Sequence, residues 1–163
     1  MNRDVVLVLL VGGVYVVVML AWRRFRVHQI KRWWTEGHEA LAAGRAEEAV
    51  PVFRKCLRVW PAAPNFHEAL GTALSQTGRL EEAEQELRMA VDLEPSRAQS
   101  HLNMSLFYAF AAPGRDRDAL EAFARVQALD PVLAREVLAK SHIAARLEDA
   151  ARRSGMTLTD TAG

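Results

Sequence analysis

The chain has 163 residues, half of them hydrophobic, a formal charge of +1 and one cysteine, Cys56. That length allows one domain with a real core plus an appendage, and a lone cysteine excludes an intrachain disulfide. Charge is segregated: Arg23, Arg24, Arg26, Lys31 and Arg32 share a stretch without an acid, and the chain beyond residue 32 is mildly acidic. A nucleic-acid binder would carry its cations on a face of the domain itself, so nucleic acid is not an expected partner.

From Val5 to Trp22 the sequence reads VVLVLLVGGVYVVVMLAW, without a charge. As a helix rising about 1.5 Å per residue it would span roughly 27 Å, close to the roughly 30 Å hydrocarbon core of a bilayer. The length predicts a transmembrane anchor over residues 5–22, behind a short tail at residues 1–4. The main competitor, a cleavable signal, fits less well: its apolar region would be shorter, and Met19, Ala21 and Trp22 stand where a small-x-small site would lie. Tyr15, Trp22 and Phe25 suit the lipid interface. A basic juxtamembrane segment follows at residues 23–29, and the membrane flank of Arg23, Arg24, Arg26, Lys31 and Arg32 would hold the domain in the cytoplasm. The expected location is therefore the inner (cytoplasmic) membrane, single-pass, with the lipid bilayer as a partner. The Arg- and Ala-rich composition, with three lysines, points to a bacterial source. A short amino terminus bearing Arg3 allows the opposite orientation, with the domain facing the periplasm.

Residues 44–49 read GRAEEA, residues 78–83 read GRLEEA, and a looser echo, GRDRDA, begins at Gly114. A period near thirty-four residues predicts stacked helical pairs with a glycine turn inside each. Around Gly78, Leu70, Ala73 and Leu74 precede the turn, while Leu80, Ala83, Leu87, Ala90 and Val91 follow at helical spacing, with Glu81, Glu82, Glu84 and Glu86 opposite them. Pro61, Pro95 and Pro131 punctuate the step to each next unit.

This pattern resembles the tetratricopeptide repeat family. Residues 64–97 carry its Leu70, Gly71, Gly78, Ala83, Ala90 and Pro95, with His67 at the bulky start and Leu87 at the aromatic place. Residues 30–63 carry Trp33, Gly37, Gly44, Ala49, Phe53 and Pro61, with Cys56 where alanine is usual. Residues 98–133 carry Tyr108, Gly114, Ala119, Phe123 and Pro131, plus two extra residues in FAAPGRDR that predict a longer inter-helix turn, Pro113 ending the first helix. The resemblance implies an all-α, three-repeat α-solenoid over residues 30–133.

After Pro131 the sequence predicts one unbroken helix over residues 134–153, capped by Asp130, with Leu133, Val137, Ala144, Leu147 and Ala151 on one face. A repeat stack needs its last apolar surface covered, so this helix reads as a cap. A polar tail occupies residues 154–163.

No catalytic constellation is present. His67 and His101 stand at equivalent places in successive units and read as packing residues. His28 and His142 have no metal-ligand spacing, and Cys56 reads as an inert core thiol. The acidic runs read as solvated faces. The chain is expected to be no enzyme, and neither cofactor nor metal is expected.

What remains is a surface. The resemblance implies a concave groove lined by the first helix of each pair: Lys31, Trp34, His38 and Leu41; Asn65, Glu68, Thr72 and Gln76; Gln99, Leu102, Leu106 and Phe110. One subgroup of the family clamps acidic chaperone tails with Lys, Asn and Arg, but the matching places here are Trp34, His38, Ala69, Gln99 and Asn103, so that clamp is missing. The expected function is a membrane-anchored adaptor that gathers protein partners through the groove. The alternatives are a periplasm-facing assembly factor for envelope or cytochrome proteins, and a non-catalytic accessory subunit of a membrane enzyme.

Overall fold

A computed structural model describes residues 3–158, with side chains from residue 12 onward. The described chain is all-helical. Helix α1 (Arg3–Ala42) pairs with α2 (Ala46–Val59), and α3 (Pro64–Gln76) with α4 (Leu80–Leu93). Helix α5 (Ala98–Leu106) runs on through a π turn (Phe107–Ala111) and pairs with α6 (Asp116–Leu129). Two shorter helices follow, α7 (Pro131–Leu138) and α8 (Ser141–Ser154).

The repeated GR phrase has a physical cause. Gly44 and Gly78 sit at φ of 72° and 78°, the left-handed region that costs a glycine little. Around Gly44 the Arg45 amide donates to the Ala40 carbonyl and the Gly44 amide to Leu41. Around Gly78 the Arg79 amide donates to Leu74 and the Gly78 amide to Ser75. Each turn thus closes the preceding helix with a 6→1 and a 5→2 bond, satisfying carbonyls that would otherwise lack partners. The arginine side chain then pairs with the acid three residues on, Arg45 with Glu48 at 2.5 Å and Arg79 with Glu82 at 2.7 Å. Those acids lie in the first turn of α2 and α4, where the helix dipole favours negative charge.

Each hairpin is closed by a small residue opposite a large one. A Cβ on Gly37 would fall 2.6 Å from the Phe53 ring, and one on Gly71 would fall 2.7 Å from Leu87 Cγ. In the third hairpin Ser105 takes the place of that glycine by register; it is fully buried, and its hydroxyl donates to the Ala119 carbonyl at 2.8 Å. Phe53, Leu70, Leu74, Leu87, Phe123 and Leu147 form the solvent-free centre of one continuous core.

Two local expectations change. The extra residues of the third period do not simply lengthen its turn: the first helix absorbs one as a π turn, the Ala112 amide donating five residues back to Phe107. The other enters the connection at Ala112–Arg115. The predicted unbroken carboxyl-terminal helix is two helices, parted at Ala139 and Lys140. Asp130 caps the first by accepting from the Val132 and Leu133 amides at 3.1 and 2.9 Å. Helix α8 then turns back along α6, burying Ile143, Leu147, Ala150 and Ala151. Asp116 fixes it there, accepting two bonds from Arg153 at 2.8 and 2.9 Å and one from Arg146 at 3.1 Å.

The membrane expectations are corrected. Among the described residues no helix is long and apolar enough to cross a membrane. The part of the predicted span with described side chains, residues 12–22, would cover only about 16 Å, half a bilayer core; residues 5–11 of that span lie outside those with described side chains. The stretch is not a separate element either, because α1 continues without a break through the arginines into the first hairpin. The transmembrane anchor, the membrane flank of Arg23, Arg24, Arg26, Lys31 and Arg32, the lipid partner and the inner-membrane location, facing either side, therefore lack their structural basis. So do the membrane-anchored adaptor and its membrane-bound alternatives.

Candidate functional site

Helices α1, α3 and α5 lie side by side, and their shared face carries two open clefts. The first, about 510 Å³, is lined by Trp34, His38, Leu41, Asn65, Glu68, Thr72, Gln76 and Gln99 from the expected set, together with Ala42, Ala69, Arg97 and Asn103. The second, about 420 Å³, lies between α3, the π turn and the start of α8. Thr72, Leu106 and Phe110 from the expected set line it with Ser75, Leu87, Asn103, Phe107, Ala111, His142 and Ile143. Thr72 and Asn103 border both, so the clefts are one groove with two ends.

Two expected residues are elsewhere. Lys31 borders a shallow depression with His28, Arg32, Thr35, Glu36 and Glu39 along α1. Leu102 is only 5% exposed and belongs to the core. A third, Glu68, borders the first cleft but is committed to the fold: its Oε1 accepts from Ser100 Oγ at 2.6 Å and from Arg97 Nε at 2.9 Å. Its side chain is 8% exposed, so this charge ties α3 to α5 rather than awaiting a ligand.

The first end is aromatic at its outer wall and amide-rich along its floor. Trp34 packs against His38, Phe53 and Phe66, with ring centroids 4.1, 6.0 and 5.4 Å apart. Loss of water around the His38 ring lowers its pKa below the ordinary value. Gln99 donates to Asn103 Oδ1 at 3.0 Å across one helical turn, leaving the Asn103 amide N–H groups available. The second end is apolar, with half-buried Leu106 behind exposed Phe110 and Ile143 closing it from α8. Asn103 had a sequence signal, lying four residues after Gln99 on the same helical face. His142 and Ile143 had none, because only the fold brings α8 to this edge.

The remaining candidates for chemistry are structural. Cys56 is fully buried, and burial pushes its thiol above its ordinary pKa, away from the nucleophilic thiolate. His67 joins Pro61 O through Nε2 at 2.8 Å and Glu86 Oε2 through Nδ1 at 2.7 Å. His101 repeats the first bond to Pro95 O at 2.9 Å. A carbonyl can only accept, so each Nε2 carries the proton, and each histidine clips the connection that precedes its helix. Among the described residues no group of three or more His, Cys, Asp or Glu is placed to hold a metal ion.

No curated protein matches this chain. The family model described as tetratricopeptide repeat matches residues 35–98, which takes in the end of α1 and all of α2, α3 and α4 and is narrower than the resemblance over residues 30–133, the third period lying outside it. That match supports a non-catalytic, protein-interaction fold.

Proposed function

We propose that the chain is a protein-interaction module that holds a segment of a partner protein in the groove between α1, α3, α5 and α8. The observation that carries this reading is the continuity of the two clefts through Thr72 and Asn103. A continuous trough of that kind suits an extended or helical segment better than a compact small molecule, which a closed pocket would bury. The repeat match over residues 35–98 supports the same class of function.

Site-specific photo-crosslinking tests it. A benzoylphenylalanine at Gln76, exposed beside the groove, is expected to give a discrete protein adduct in cell extract, and the same group at exposed Arg88 on α4 is not. Equal adducts from both sites, or an adduct at Gln76 that survives Phe110→Asp and Asn103→Ala together, would remove the groove from the function.

A further inference from the structure

Resting on that reading, we infer that the groove's occupant is an uncharged, extended peptide segment whose backbone lies along the amide-rich end and whose one bulky apolar side chain enters the cleft between the π turn and α8. The charges lining the groove carry this. Among the described residues, the one carboxylate and the one guanidinium that border the groove, Glu68 and Arg97, neutralise each other at 2.9 Å. Loss of water around His38 lowers its pKa and so favours its neutral form. The other polar groups along the floor are hydroxyls and carboxamides, among them Thr72, Gln76, Gln99 and Asn103.

Carboxamides donate and accept at once, which matches the alternating N–H and C=O of a peptide backbone. They offer no counter-charge, so an acidic or basic side chain entering the groove would lose water without gaining an ion pair. At the other end Leu106, Phe107, Phe110 and Ile143 join Ser75, Asn103 and His142 around a mainly apolar cleft of about 420 Å³, large enough for one Leu, Ile, Phe or Trp side chain. Phe110 is 53% exposed at its rim, and a bulky side chain entering beside it would remove apolar surface from water on both partners. Neither wall has a counterpart in the first two hairpins, since one is the π turn of the lengthened third period and the other is the turned-back α8.

The test is selection of a random twelve-residue peptide library displayed on phage against the immobilised full chain. Selected peptides are then titrated by fluorescence anisotropy against the unaltered chain, Phe110→Asp and a Gln99→Ala/Asn103→Ala double variant, each checked for helicity. The expected peptides are free of charge across the bound stretch, contain one large apolar residue, and bind about ten-fold more weakly to the double variant, the loss of roughly two neutral hydrogen bonds. Replacing their apolar residue with alanine, or placing glutamate or lysine beside it, weakens binding further. Peptides that depend on the groove residues but are acidic or basic would overturn this inference and leave the groove reading standing. Peptides indifferent to both groove variants, or no selected peptide at all, would overturn both.

Discussion

Gly71 and Leu87 approach so closely that a Cβ on the glycine would lie 2.7 Å from Leu87 Cγ and 3.1 Å from the Ala83 carbonyl oxygen. Leu87 could shift, but the carbonyl belongs to α4 and cannot move without the helix. Gly71→Ala is therefore expected to destabilise the fold by about 1–3 kcal/mol, the usual cost of overpacking, despite alanine's better helix propensity. Urea unfolding at unchanged slope measures it, and a variant as stable as the parent would show that α3 and α4 are not in such tight contact.

His67 supplies a pH dependence. Burial opposes its charge, but the bonds to the Glu86 carboxylate and the Pro61 carbonyl outweigh burial and raise its pKa above the ordinary 6.5. A raised histidine pKa stabilises the fold fully below the unfolded value, and the gain is lost as pH rises through the folded value. Thermal unfolding should show the parent losing stability across that window relative to His67→Gln, whose profile there should be flatter. Parallel profiles would exclude the ion pair.

Pro51 sits inside α2 with its ring exposed. Lacking an N–H, it leaves the Glu47 carbonyl without its helical donor. Pro51→Ala should restore that bond and raise stability by roughly 1–2 kcal/mol, a proline's helix penalty less the entropy that alanine returns to the unfolded chain. A drop in melting temperature on this substitution would contradict the geometry of α2.

Asp116 holds α8 through Arg146 and Arg153, and the bond from Arg153 is the first reason its carboxyl pKa is lowered. A depressed carboxylate pKa stabilises above the unfolded value and loses that contribution as pH falls through the folded one. Asp116→Asn should speed hydrogen exchange in residues 143–151 while leaving α3 and α4 protected. The same local loosening should appear in the parent under acid. Unchanged exchange in α8 would mean that its apolar face alone secures it.

The sequence announced features that depend on near neighbours. A left-handed glycine, the arginine after it and an acid three residues on form a local code, so the turns at Gly44 and Gly78 could be read directly. Features set by distant partners could not. Glu68 looks like a groove residue until Ser100 arrives from thirty-two positions away. The two inserted residues of the third period do not declare whether helix or loop receives them. The break at Ala139 and Lys140 carries neither glycine nor proline, and it alone brings Ile143 to the groove. The apolar run of residues 5–22 was read by counting residues, and counting did not reveal that its described part continues directly into the first hairpin.

The π turn also gives the array a direction. Copying residues 64–97 in tandem would add a hairpin with the same turn bonds and the same polar floor, because a whole thirty-four-residue period keeps the hairpins in step. Copying the third period would not, since its widened helix end and lengthened connection break the thirty-four-residue step and are packed in part against α8. A lengthened chain would thus keep one fixed terminus while its amide-lined trough grew from the other side. The fold works as a ruler whose zero mark is the cleft beside Phe110.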